Sequence, residues 1–190
     1  MSEPCPEILD PRIRRTRQLL QQALAKLLET REFDTISVQE IAEAATVNRA
    51  TFYDHYHDKF ALLHCMVGAR FQELLAERQV SFDGTCAHAL KAIVRCVCDY
   101  LEQQRQMQPH MESAVITVIR SIILDGTRTH PPGEGVSPEL LATTVSWAIY
   151  GAAKEWLQTP NRRTADEISA TIVNLISGII SPEANRDTPG

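Results

Sequence analysis

After Pro11, apolar residues recur at Ile13, Leu20, Ala23, Leu24, Leu27 and Leu28, with Thr16 completing one face of period 3.6. That spacing predicts an amphipathic helix from residue 12 to about 30. The stretch REFDTIS breaks the period, and Ser37 then stands as an N-cap with Glu40 three positions on. Val38, Ile41, Ala42 and Ala45 share one side of the short helix so begun. A tight turn at Thr46 and Val47 leads to Asn48, which can cap a third helix. Asp58 can cap a fourth, expected from residue 59 to about residue 80 with Leu62, Met66, Ala69 and Leu74 as its inward stripe. Beyond SFDGT, residues 86 to 104 read as one helix. Residues 111 to 124, MESAVITVIRSIIL, read as another that is apolar nearly all round and hence central and buried. DGTRTHPPGEGVSP is a loop by its Gly and Pro content. Two amphipathic helices close the chain. The first, 138 to 158, carries Leu141, Val145, Ala148, Ala152 and Trp156 on one face; the second, 166 to 180, carries Ile168, Ile172, Leu175, Ile176 and Ile179. The expected class is all-α, with no strand pattern.

Composition narrows the setting. A chain of 190 residues, 44% apolar and 23% charged, suits a globular domain of average size or a small module attached to a larger one. No apolar run approaches the ~18 residues that span a bilayer, and the N-terminus lacks a basic start followed by an apolar core; the expected location is the cytoplasm. Five cysteines without a C-x-x-C pair argue against a disulfide framework or a zinc ribbon. Cys96 and Cys98 point about 200° apart on a helix, so small core residues are expected. The net charge of −5 does not mark a nucleic-acid binder, yet Arg12, Arg14, Arg15 and Arg17 crowd together just after Glu3, Glu7 and Asp10. Such a basic end on an acidic chain suits a face that meets an anion, although it also suits a solvated helix start.

The chemistry concentrates in ATVNRATFYDHYHDKF, residues 45 to 60. His55 and His57 could suggest a metal, but no Cys, Asp or Glu arrangement completes a site around them. Two short helices joined by a tight turn, after a longer amphipathic one, form the helix-turn-helix pattern. TISVQEIAEAATVNRATFYDHYHDKFALL, preceded by RTRQLLQQALAKLLETREFD, resembles the DNA-binding segment of the TetR family of transcriptional regulators. YGAAKEWLQ and ADEISATIVNLISGII resemble that family's dimerisation helices. The resemblance implies a recognition helix at about 48 to 53 in the major groove, with Arg49 and Thr51 reading bases, Asn48 at the cap and Ala50 small enough for close approach. It makes Tyr53 and Lys59 phosphate contacts, and Thr35 and Ser37, with the N–H groups opening the second helix, a further phosphate hold. Phe52 and Tyr56 should pack inward. His55 should contact DNA or a neighbouring helix, and His64 should lie in or near the core. Thr46 stands where the family commonly has Gly, and a β-branched residue resists positive φ, which points to a turn of different shape.

The resemblance further implies a helix-turn-helix domain at residues 9–69 and a helical effector-binding and dimerisation domain at 70–182. Its function would be that of a ligand-responsive repressor, a homodimer through residues 138–180 on a palindromic double-stranded operator. Effector binding would shift the fourth helix and spread the reading heads away from half-sites ~34–36 Å apart or a multiple of that. Met66, Phe71, Cys96, Tyr100, Met107, Met111, Trp147 and Tyr150 could line a pocket for a small apolar or aromatic effector, and core packing explains the same residues. The alternative is a DNA-bound architectural or interaction protein of the same fold without a small-molecule effector. No Ser-His-Asp set, phosphate loop, paired carboxylates or metal motif stands out, so neither catalysis, cofactor nor metal is expected.

Overall fold

The computed structural model describes residues 10–79, 86–104, 108–132 and 135–180, without the side chains of 178–180. The described residues are helical, with no strand. They divide into two compact units: the first runs to Ala69 and includes Gln108–Ala114, and the second holds the described residues of 70–104 and those from Val115 onward.

In the first unit, α1 (Pro11–Leu28) starts at Asp10, whose Oδ1 accepts the Arg12 N–H at 2.8 Å, and buries Leu20, Ala23 and Leu24. A short 3-10 turn, Phe33–Thr35, comes next. The start of α2 (Val38–Ala44) is a capping box: Glu40 N–H donates to Ser37 Oγ at 3.2 Å, and Ser37 N–H donates to Glu40 Oε2 at 2.8 Å. Its end is closed by Thr46 N–H on the Glu43 carbonyl (3.0 Å) and Val47 N–H on the Ala42 carbonyl (2.9 Å), a pattern that needs a left-handed residue at Thr46. Thr46 takes it, at φ 57°. The expected change of turn shape is therefore absent, and a β-branched residue carries the strain instead. Thr46→Gly should accordingly raise stability by ~1–2 kcal/mol, read from urea unfolding; an unchanged or lower midpoint would show that the strain is not there.

Asn48 Oδ1 accepts the Ala50 N–H at 2.9 Å to open α3 (Arg49–His55). Phe52 and Tyr56 are buried, and Gln21 of α1 donates to the Tyr56 hydroxyl at 3.3 Å. Asp58 Oδ1 accepts the Ala61 N–H at 2.7 Å at the start of α4 (Lys59–Glu77). The buried side of α4 is Leu62, Leu63, Val67, Phe71 and Leu74, whereas Met66 and Ala69 are only half-buried. The expected stripe was thus slightly out of phase, because 62, 66 and 69 fit a helical period as well as 63, 67 and 71 do. Residue 80 lies outside the described residues.

In the second unit the enclosed helix is α5 (Ala87–Gln103), which packs on both later helices and buries its residues from Ala89 to Leu101 on most sides. The expectation of a central 111–124 helix is corrected: α6 (Pro109–Thr129) leaves Ser121 exposed and Val118, Ile122 and Leu124 half-buried. It also runs further, through Asp125 and Gly126, because nothing stops a helix there before Pro131. Cys96 and Cys98 are fully buried, and burial pushes their thiols up to about 11 and about 12, so they stay protonated.

Ser137 caps α7 (Pro138–Gln158), and Thr164 with Glu167 forms a capping box for α8 (Ala165–Ile180). Their inward residues include Leu141, Val145, Ile149, Tyr150, Ala153 and Trp156 on α7 and Ser169, Ile172, Val173 and Ile176 on α8. Leu175, expected with that inward set, is 71% exposed, and Ile168, Ala148 and Ala152 are half-buried; the side chain of Ile179 lies outside the described residues. Leu140 and Trp147, 59% and 56% exposed, share the outer side of α7 with Gly151. No helix among the described residues is long and apolar enough to cross a membrane.

Candidate nucleic-acid interface

The start of α3 presents Asn48, Arg49 and Ala50 to solvent, with Thr51 half-buried beside them. Burial of Phe52 and Tyr56 fixes which way the helix faces, so these positions are outward by geometry. Arg49 is not a loose chain: its guanidinium lies over the Tyr53 ring, 5.6 Å from the centroid, and donates to the Tyr53 hydroxyl at 3.3 Å. A flat donor fork braced on an aromatic face loses less freedom on binding than an unbraced one.

Beside Tyr53 lies a depression of about 360 Å³ whose walls include Thr35, Ser37, Val38, Tyr53, His57 and Lys59. Four residues separated by up to 24 positions, and assigned to phosphate by resemblance, thus share one notch. Their donors are not all at liberty. Thr35 Oγ1 donates to the Glu32 carbonyl at 2.8 Å and Ser37 Oγ donates to Glu40 Oε2 at 2.7 Å. Lys59 Nζ is turned onto three backbone carbonyls of the 3-10 turn and the residue after it. Asp34 and Asp58 also line the notch, so it is not simply cationic.

Glu40 anchors the notch from behind. The Arg31 guanidinium, then the Ser37 N–H and hydroxyl, hold its carboxyl down at about 2 from an ordinary 4.5. A depressed carboxylate stabilises the fold above its unfolded value and loses that contribution as pH falls through its folded value. The wild-type chain should therefore lose stability between about pH 4.5 and about pH 2 more steeply than Glu40→Gln does. Parallel acid-unfolding curves would remove this role.

The two histidines of the stretch diverge. His55 is half-buried, and its pKa is lowered by burial and by the nearby positive charge of Arg17 on α1. His57 is exposed and pairs with Asp58 at 3.3 Å. His64 is half-buried, with its pKa lowered by burial.

The effector candidates are dispersed. Met66 and Met111 belong to the first unit, the former half-buried and the latter buried. Phe71, Cys96, Tyr100 and Tyr150 are buried in the second, where Phe71 and Tyr100 pack ring on ring at 5.3 Å. Trp147 faces solvent, and Met107 lies outside the described residues. Sequence reasoning missed Gln108 and His110, which reach the 3-10 turn from the start of α6; no local signal links positions more than 70 residues apart.

Residues 20–66 match the family model of bacterial regulatory proteins, tetR family. A curated relative from Bacillus subtilis (strain 168), the uncharacterized HTH-type transcriptional regulator YxbF, is 37% identical over 68 residues, which are 35% of this chain and 18% of that protein. Among solved structures, Lin0861 from Listeria innocua is similar with a TM-score of 0.67 at 21% identity, over 92% of this chain and 96% of that one. The TetR-family regulator SCO0857 from Streptomyces coelicolor A3 is similar with a TM-score of 0.61 at 19% identity, over 90% and 97%. At such identities these likenesses establish the fold.

Proposed function

We propose, from the match of residues 20–66 to the model of bacterial regulatory proteins, tetR family, that this chain is a repressor of that family which binds a palindromic operator as a homodimer and answers to a small apolar or aromatic effector. The observation that carries the DNA-binding part is the braced Arg49–Tyr53 pair on the outward side of α3, next to the notch that gathers Thr35, Ser37 and Tyr53. Arg49 and Thr51 read base edges in the major groove, with Asn48 and Ala50 allowing the approach. The Tyr53 hydroxyl and the first-turn N–H groups of α2 take phosphate oxygens. His55 makes a polar contact to DNA or to a neighbouring helix. The arginines at 12, 14 and 15 support the same reading, because all three are exposed and place positive charge on one end of α1.

Pairing is proposed through the outer side of α7 and α8. Gly151 sits inside α7, exposed, with open space where a Cβ would point. A helix-interior Gly costs ~1 kcal/mol against Ala, and nothing among the described residues of one protomer requires it. A second copy crossing closely at that point would. Leu140 and Trp147 on the same side of α7, and Leu175 on α8, add exposed apolar surface of the kind that marks an interface.

The experiment is selection from a random duplex pool by the full-length chain, followed by inspection of the genes next to matching sites. Enrichment of an inverted repeat is expected; no enrichment would remove the DNA-binding reading. The second, architectural reading draws on one observation: Phe71 and Tyr100, both candidate pocket residues, are buried and pack against each other. A compound that raises the melting temperature yet leaves operator affinity unchanged would favour it.

A further inference from the structure

Lys59 occupies the first position of α4, where an ammonium is repelled by the helix dipole. It is held there by the 3-10 turn. Nζ donates to the carbonyls of Phe33 at 2.9 Å, Asp34 at 3.2 Å and Ile36 at 2.8 Å, and lies 4.7 Å from the centroid of the Phe33 ring. An ammonium has three protons, so all of them are engaged inside the protein. The carbonyls belong to the stretch that carries Thr35 and leads into Ser37, one wall of the notch.

The same stretch is gripped from a second side. Gln108, just before α6, accepts the N–H of fully buried Phe33 on Oε1 at 2.6 Å and donates to the Arg31 carbonyl at 3.4 Å. His110 Nε2 lies 2.8 Å from Asp34 Oδ1, and its ring packs against Phe33 and Phe60. All of these residues belong to the first unit.

We propose that Lys59 and Gln108 are positioning residues which together set the 33–37 wall of the phosphate notch, and that Lys59 does not itself neutralise a phosphate. The inference rests on the DNA-binding reading above. It makes the first turn of α6 a control point: displacing Gln108 frees the Phe33 N–H and lets the wall move, although Gln108 is absent from the notch lining.

Counterion release separates positioning from contact. A lysine bound to a phosphate contributes about 0.9 to the slope of log affinity against log salt, whereas a cation whose protons are engaged by carbonyls inside the protein, and which displaces no counterion from a phosphate, leaves the slope close to its wild-type value when it is replaced. The test measures binding of the full-length chain to a duplex selected by the wild type, across a series of KCl concentrations, for Lys59→Met, Lys59→Arg and Gln108→Ala. Lys59→Met and Gln108→Ala should each weaken binding by roughly five- to tenfold, the range that lost hydrogen bonds give, with the wild-type slope kept. Lys59→Arg should weaken it too despite keeping the charge, because a planar guanidinium cannot gather three carbonyls around one nitrogen. Gln108→Glu, which keeps the acceptor for Phe33, should recover most of the loss. In Gln108→Ala, amides in the 33–38 segment should exchange faster while those of α3 do not.

A slope lowered by about 0.9 in Lys59→Met, with Lys59→Arg and Gln108→Ala like wild type, would overturn the inference and leave the DNA-binding reading intact. A wild type that selects no duplex would remove both. Should Lys59→Met fail to fold, Lys59→Arg and Gln108→Ala decide alone, since two wild-type affinities exclude the positioning role.

Discussion

The double variant Trp147→Glu and Leu175→Glu should sediment as a folded monomer, and its affinity for a two-half-site duplex should fall by roughly 10²- to 10⁴-fold, the advantage of joining two binding modules. Both side chains are more than half exposed in the protomer, so the protomer has little reason to resist the change. A dimer paired through this surface would resist it, because the introduced carboxylates would be desolvated against apolar surface without partners. Gly151→Leu gives the same outcome by another route: the added side chain meets open space within the protomer and improves helix propensity, but it props apart any helix that crosses there. Ile172 serves as the contrast. It is 2% exposed, so Ile172→Asp should unfold the second unit, at a cost of roughly several kcal/mol, and helical content should drop with it. A dimer that persists in both Trp147→Glu, Leu175→Glu and Gly151→Leu would show that pairing uses another surface.

Helix starts were legible because their causes are local. Ser37 with Glu40, Asn48 and Asp58 each accept a first-turn N–H as their residue types and spacing predict. Helix ends and faces were less so. The end of α6 depended on the residues after Leu124, and a single Gly126 does not break a helix that already has its neighbours. On α8, Ile168, Ile172, Leu175 and Ile176 form one broad apolar arc in the sequence, but only part of it faces its own protomer. Periodicity reports that an arc is apolar, not whether one molecule or two will cover it. Lys59 illustrates the same limit at the candidate site. The sequence contains a cation at a helix start; the three carbonyls that engage it exist only once the 3-10 turn has folded against α4. Tyr53, Thr35 and Ser37 could be assigned from a resemblance, yet their convergence on one notch is a property of the fold.

Arg49→Ala should change which duplexes are chosen, not merely how tightly. If the guanidinium reads one base pair through a bidentate contact, its loss should remove ~1–3 kcal/mol of discrimination at one position of each half-site, about five- to 150-fold, while preferences elsewhere persist. The salt slope should also fall if Arg49 additionally neutralises a phosphate, so the selection experiment and the salt titration are to be read together. Tyr53 separates bracing from reading. Tyr53→Phe keeps the ring under the guanidinium but removes the hydroxyl that Arg49 contacts at 3.3 Å; it should weaken all sequences and leave the preferred base in place. Tyr53→Ala removes the ring as well, frees Arg49 to take other rotamers, and should blur the preference at the Arg49 position. Thr51, half-buried beside them, should affect a neighbouring position when replaced by Val, which keeps its shape and loses the hydroxyl. Selections in which Arg49→Ala recovers the wild-type sequence at every position, however weakly, would place Arg49 among the phosphate contacts and shift the burden of base reading to Thr51.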